Sequence, residues 1–252
     1  MLLSELVDQQ VVIDAETTRR EPGISPSNIG SCLRKLILMD RNAPHADFSA
    51  NQLKVFGMGN IVEKYVLDKL ESITKHRQLE VSYSGFKGTL DAIVEMDGKL
   101  YLIDTKSVKK DKFGYLDVKG IDEHYAFQLT FYWLGAKAQG INLEDNVCLF
   151  YVQKDDVLFK EMWFKPSSYK KMLDLRIDDI TFARKDGRLP SEYDPPIWEC
   201  FSVSEKYNTV RVWCNYISSC PNVLLKLEQA RKDMENKITA KEIKKLQKEK
   251  KQ

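Results

Sequence analysis

Gly88-Thr89-Leu90-Asp91-Ala92-Ile93-Val94-Glu95-Met96-Asp97-Gly98-Lys99-Leu100-Tyr101-Leu102-Ile103-Asp104-Thr105-Lys106 is the stretch around which the chain is organised. Two runs rich in Leu, Ile, Val and Tyr flank Asp97-Gly98, a dipeptide that favours a two-residue type I′ turn, so the segment reads as a β-hairpin in which residues 96 and 99 face each other. Counting outward places Asp91 opposite Asp104 and Thr89 opposite Lys106. Both carboxylates then share one face, and Lys106, two residues past Asp104, projects from it as well. Directly opposed residues have β-carbons roughly 4.5–5.5 Å apart, where like charges are destabilising. A hard divalent cation such as magnesium would remove the conflict, because it takes oxygen ligands from one or two carboxylates and keeps water and phosphate in its other positions. An ammonium beside it can orient a bound water and offset charge on a phosphate. Asp-x-Lys alone also suits a solvated hairpin face, and its neighbours decide between the two.

Upstream, Phe48 to Leu70 is expected to contain a helix with Val55, Val62, Val66, Leu67 and Leu70 on its apolar face, and Gly57-Met58-Gly59-Asn60-Ile61-Val62-Glu63 lies within it. Downstream stands Gln128-Leu129-Thr130-Phe131-Tyr132. Residues four apart share a helix face, so the amide and the phenol meet the same groove. Taken in this order, these elements resemble the PD-(D/E)XK nuclease superfamily, and within it the RecB-like branch. The resemblance implies that Glu63, Asp91 and Asp104, with the Thr105 carbonyl, hold one or two Mg2+ or Mn2+ ions. It also implies that Lys106 orients or deprotonates a water and that Gln128 and Tyr132 position the substrate strand.

The chain has 252 residues, 43% hydrophobic and 30% charged, enough for one domain with a small appendage. No run of eighteen uncharged apolar residues occurs, and the first residues lack the pattern of a signal peptide, which predicts a cytoplasmic protein with no membrane partner. The net charge of +2 is not that of a protein that coats nucleic acid indiscriminately. From Lys226 onward ten Lys or Arg stand against five Asp or Glu, so the tail carries +5 and the body −3. A phosphate-binding groove must therefore be a local feature.

Along the rest of the chain, the first twenty-odd residues read as a short helix and a loop. Ser25 to Leu38 reads as a helix with Pro26 at its first position and Cys32 on its inward stripe. Glu80–Tyr83, residues 147–153 and residues 158–164 read as strands, 167–185 as a helix, and Val108 to Glu123 as a loop carrying Lys109, Lys110, Lys112 and Lys119 at the mouth of the cleft. From Val223 a charged helix runs to the end. The expected fold is α/β, a restriction-endonuclease-like mixed sheet flanked by helices, with the N- and C-terminal segments joined at a four-cysteine metal cluster. Four segments are expected: 1–47 with the first cysteine, a nuclease core over 48–190, a cysteine-bearing segment over 191–222, and the charged tail 223–252.

Of the five cysteines, Cys148 sits in an apolar run and reads as core, whereas Cys200, Cys214 and Cys220 fall within twenty-one residues. With Cys32 they make four, the number that closes a zinc site or an iron-sulfur cluster, and composition does not choose between the metals. A subset of RecB-like nucleases, including the AddB nuclease domain and the exonuclease of CRISPR adaptation, carries one cysteine before the core and three after it, and the resemblance to that subset implies a 4Fe-4S cluster. The family's second cysteine commonly stands three residues before the Cys-x5-Cys pair, where this chain has Arg211, so Cys200 takes that place across a longer loop.

The resemblance implies a metal-dependent DNA exonuclease acting on single-stranded DNA or duplex ends, 5′ to 3′, with recombination or adaptation proteins as partners. An endonuclease, or a non-catalytic nucleic-acid-binding module stabilised by zinc or iron-sulfur, are the alternatives.

Overall fold

The structure is a computed structural model that describes residues 2–17, 23–187, 200–204, 209–212 and 214–249. The chain divides into two compact units that interleave in sequence, one of residues 1–31 and 49–187, the other of residues 32–48 and 188–252.

The first unit is built on a five-stranded sheet in the order β1-β2-β3-β4-β5, comprising β1 (Thr74–Tyr83), β2 (Phe86–Met96), β3 (Lys99–Val108), β4 (Leu143–Gln153) and β5 (Leu158–Phe164). It is mixed: β3 and β4 are parallel and every other pair is antiparallel. The β2–β3 turn has Asp97 and Gly98 at φ 50° and 72°, the two positive values a type I′ turn requires, and Met96 pairs with Lys99 as expected. The register runs to Ala92 opposite Ile103 and stops there. Asp91 opposite Asp104, and Thr89 opposite Lys106, are therefore not ladder pairs. Beyond that point β2 pairs only with β1, and β3 continues along β4, through Lys106 opposite Tyr151, to Val108 opposite Gln153. The strands part where the carboxylates sit.

One face of the sheet buries Ala92, Val94, Ile103 and Cys148 against Leu67 of α3 (Ala50–Lys69). A capping box starts that helix: Ser49 Oγ accepts from Gln52 N while Gln52 Oε1 accepts from Ser49 N. Helix α6 (Glu123–Ala138) lies between β3 and β4 in the chain and is buried from Ala126 to Trp133, so its polar Gln128 and Thr130 are buried too. At Gly135 a β-carbon would come 2.9 Å from Val81 Cβ, so the missing side chain permits this helix to approach β1. Helices α1 (Leu3–Thr17) and α7 (Lys170–Asp186), the latter with Leu173, Ile177 and Ile180 buried, complete the unit.

Two expectations about local structure fail for identifiable reasons. The segment expected as a loop, 108–123, contains two short helices, α4 (Lys110–Gly114) and α5 (Leu116–Lys119), fastened by Lys110–Asp156 and Lys160–Asp117 ion pairs. The helix expected from Ser25 begins only at Leu33, as α2 (Leu33–Asp40). Residues 26–31 are turns instead, because tertiary partners take their carbonyls: Arg176 donates to Ile29 O and Ser31 O, and a His124 ring nitrogen bonds Ser27 O.

The second unit holds α2, a hairpin of β6 (Phe201–Ser204) and β7 (Thr209–Val212), and the long α8 (Pro221–Glu249). Its core gathers Leu38, Cys200, Phe201, Cys214, Tyr216, Cys220, Val223 and Leu227. Residues 19–22, 195–199, 213 and 250–252, which entered the sequence reading, lie outside the described residues.

Candidate active site

Where β2 and β3 part, side chains take over the hydrogen bonding. Asp91 Oδ2 accepts from the backbone N–H of Thr105 at 2.9 Å, replacing a ladder bond with a carboxylate. Asp104 is fully buried, and its Oδ2 lies 2.6 Å from Lys106 Nζ. Beyond that ammonium contact Asp104 has no partner, so its Oδ1 is buried without a donor, and the buried Thr105 Oγ1 lacks a partner as well. Helix α3 passes beside β3, where a β-carbon on Gly59 would lie 3.8 Å from Ser107 Oγ. One turn on, Glu63 reaches the field of Asp104 and Lys106 and accepts from Gln78 Nε2 at 2.7 Å.

The carboxylates burden one another. Burial, then the charges of Asp104 and Glu63, push Asp91 well above the ordinary carboxylate range. Glu63 is raised for the same reasons, burial first and Asp104 second. For Lys106, burial opposes the charge, but Asp104 and Asp91 outweigh it and hold the ammonium above its usual value. The lysine thus serves as the cluster's internal counter-charge.

The Gln128 amide donates to Tyr132 Oη at 3.4 Å, a long bond, and both side chains are buried. Burial, with the charges of Asp104 and Asp91 adding to it, pushes the Tyr132 phenol up to about 12, so it remains a proton donor. The structure brings Glu63, Asp91, Asp104, Thr105, Lys106 and Tyr132 together, with Gln128 behind Tyr132. Sequence reasoning missed Tyr125, whose ring lies 5.0 Å from Lys106 Nζ and 5.4 Å from Lys112 Nζ. Its position in the first turn of α6, three residues before Gln128, was the available signal.

Among the described residues, no three His, Cys, Asp or Glu side chains already form a metal cage. Here the reason is visible: Lys106 lies on Asp104, Thr105 N holds Asp91, and Gln78 holds Glu63. A fully buried carboxylate with one oxygen left without a donor is nevertheless the kind of group that a cation completes, and the oxygen-only donor set suits a hard divalent ion.

In the second unit Cys32, Cys200, Cys214 and Cys220 are all buried and unbridged. Cys32 and Cys220 each precede a helix, their carbonyls accepting from Leu36 N and Leu224 N, and Cys214 N donates to Cys200 O at 3.1 Å. A thiol hydrogen bond with Cys214, burial and the neighbouring Cys32 and Cys220 raise the Cys200 thiol. Arg34 lies near Cys220 and eases its ionisation against burial. Cys200, Cys214 and Cys220 thus share one core, with Cys32 in electrostatic reach of Cys200, and the four are not arranged as a metal cage.

Residues 33–246 match the model of the PD-(D/E)XK nuclease superfamily. No curated protein matches the chain. Among solved structures, that of SSO0001 is similar over 88% of this chain and 97% of its own, at 17% identity and a TM-score of 0.50, which is a likeness of fold. An alkaline exonuclease, LHK-Exo from Laribacter hongkongensis, matches over 68% of this chain and 96% of its own at 13% identity and a TM-score of 0.41. Its complex with dAMP matches over 67% and 95% at 12% identity and a TM-score of 0.39.

Proposed function

Because the chain belongs to the PD-(D/E)XK nuclease superfamily, we propose that it is a divalent-metal-dependent deoxyribonuclease that hydrolyses phosphodiester bonds from single-stranded or frayed DNA ends, 5′ to 3′. The observation that carries this reading is the fully buried Asp104 carboxylate, whose Oδ1 has no partner and whose Oδ2 meets Lys106 Nζ, beside Asp91 and Glu63. Magnesium or manganese, held by Glu63, Asp91, Asp104 and the Thr105 carbonyl, would neutralise charge on the scissile phosphate and acidify a bound water.

The chain's own residues supply the rest. Lys106 is held in its charged form, so it suits orienting the attacking water and stabilising charge on a phosphate oxygen more than abstracting a proton. Water oxygen bonds to phosphorus, the bond from phosphorus to the leaving sugar oxygen breaks, and the water's proton ends on that oxygen. Tyr132, protonated throughout, donates toward the strand, and Gln128 sets its orientation.

For the second unit the reading is a structural 4Fe-4S cluster on Cys32, Cys200, Cys214 and Cys220, as in RecB-like nucleases of the AddB kind. Four buried thiols, three in one core and Cys32 in electrostatic reach of Cys200, suit it in number and type. A cytoplasmic place in recombination, repair, phage DNA metabolism or CRISPR adaptation completes the proposal.

The deciding experiment is cleavage of 5′- and 3′-labelled single- and double-stranded DNA by anaerobically purified protein with Mn2+, Mg2+ or chelator, beside Asp91→Ala. Metal-dependent loss of one label, absent in the variant, supports the reading and reports polarity. Unbroken DNA under every condition overturns it.

A further inference from the structure

We infer that Lys112 and Tyr125 form a second phosphate-binding subsite beside Lys106, taking the phosphodiester next to the scissile one. This inference rests on the nuclease reading above. Of the lysines in the segment after β3, two are already engaged: Lys110 with Asp156 at 3.1 Å and Lys119 with Asp122 at 3.5 Å. Lys160, which reaches the same segment, pairs with Asp117 at 2.7 Å and lies over the Phe113 ring. Lys112 makes no ion pair among the described residues. Its ammonium lies instead 5.4 Å from the centroid of the Tyr125 ring, whose centroid is also 5.0 Å from Lys106 Nζ.

Lys106 is compensated by Asp104, whereas the Lys112 ammonium meets the Tyr125 ring without a carboxylate partner among the described residues, which leaves its charge available to an anion. The ligand that the candidate site must in any case receive is a polyanion with phosphates spaced along a strand. The short helices that carry Lys112 are tied to the β4–β5 end of the sheet by the Lys110–Asp156 and Lys160–Asp117 pairs. The charge is therefore presented from a fastened wall, which lowers the ordering cost of a phosphate contact. An ammonium serves here as a compact point charge, and an arginine at the same place would serve too.

The test measures affinity for a fluorescent single-stranded oligonucleotide across a salt series, with full-length Asp91→Asn protein as the uncleaving background. Lys112→Gln is expected to weaken binding about tenfold at low salt and to flatten the log–log salt slope by about 0.7, the loss of one single-strand phosphate contact. Lys112→Arg should restore both, and Lys99→Gln, which removes an equal charge at the far end of the hairpin, should change neither. In the cleaving enzyme Lys112→Gln should raise KM with little change in kcat. Unaltered affinity and slope in Lys112→Gln, or an equal effect of Lys99→Gln, overturns the subsite while leaving the nuclease reading intact. Failure of the background protein to bind DNA at all overturns both.

Discussion

The carboxylate of Asp91 accepts a hydrogen bond from the backbone N–H of Thr105 at 2.9 Å, at the point where β2 and β3 cease to pair. An ordinary ladder would use a backbone carbonyl there. The substitution parts the strands and assembles three carboxylates and a lysine, so the opening of the sheet and the building of the site are one event. The cost falls on the metal-free fold, since buried like charges destabilise it.

Asp91→Asn keeps an acceptor for Thr105 N–H while removing that charge. Cleavage should disappear, yet without metal the variant should be more stable than the parent by about 1 kcal/mol or more, roughly 2–4 °C in Tm per kcal/mol for a domain of this size. The sign with pH follows from the raised pKa: between the unfolded and the higher folded value the native state binds more protons, so the parent loses stability as pH rises through that window. The Tm gap between variant and parent should therefore widen with rising pH. Thermal melts in chelator from pH 4 to 8 check this, and a constant gap contradicts it.

Added Mn2+ or Mg2+ should stabilise the parent by about 2.7 kcal/mol at a hundredfold excess over Kd, and so raise its Tm, through preferential binding to the native state. Asp104→Asn and Asp91→Asn should lose most of that increment. Differential scanning calorimetry with and without metal makes the comparison.

Gly88→Ala should destabilise the fold by about 1–3 kcal/mol, the usual range for overpacking. A β-carbon there would lie 2.4 Å from Pro26 Cγ, 2.7 Å from Pro26 Cδ and 3.1 Å from Tyr132 Cε1, and the proline ring has little room to yield. Urea unfolding should show a lower midpoint with unchanged slope. Because Tyr132 is one of the crowded groups, activity should fall at temperatures where the variant is still folded.

Cys32→Ser and Cys220→Ser should each lose bound iron and the broad absorbance at about 400 nm of anaerobically purified protein. Cys148→Ala should keep both, because that thiol lies in the apolar core of the other unit and burial pushes it up to about 12. Iron analysis and absorbance spectra separate the cases. Zinc in place of iron would leave the cysteine grouping standing and change its metal.

The hairpin was legible because its signals are local. Asp97-Gly98 specifies its turn through two positive φ values, and the alternation of Ile93 and Val94 with Tyr101 and Leu102 sets the pairing that follows. The capped helix bearing Glu63 and the buried helix bearing Gln128 and Tyr132 were legible for the same reason, since their periodicity lies within a few turns. Other features depended on partners distant in the chain. The turns at 26–31 replaced a well-signalled helix because Arg176 and His124 claim their carbonyls. The ladder stopped one pair short of Asp91 and Asp104 because a side chain displaced a backbone bond. Lys112 and Tyr125 meet across the chain in a segment after β3 that ion pairs to Asp156 and Asp117 join to the β4–β5 end of the sheet. The sequence by itself thus determined which residue types carry the chemistry and which local elements hold them. Tertiary structure alone decided which polar groups remain uncompensated, because that depends on hydrogen bonds and charges across the fold that no local pattern encodes.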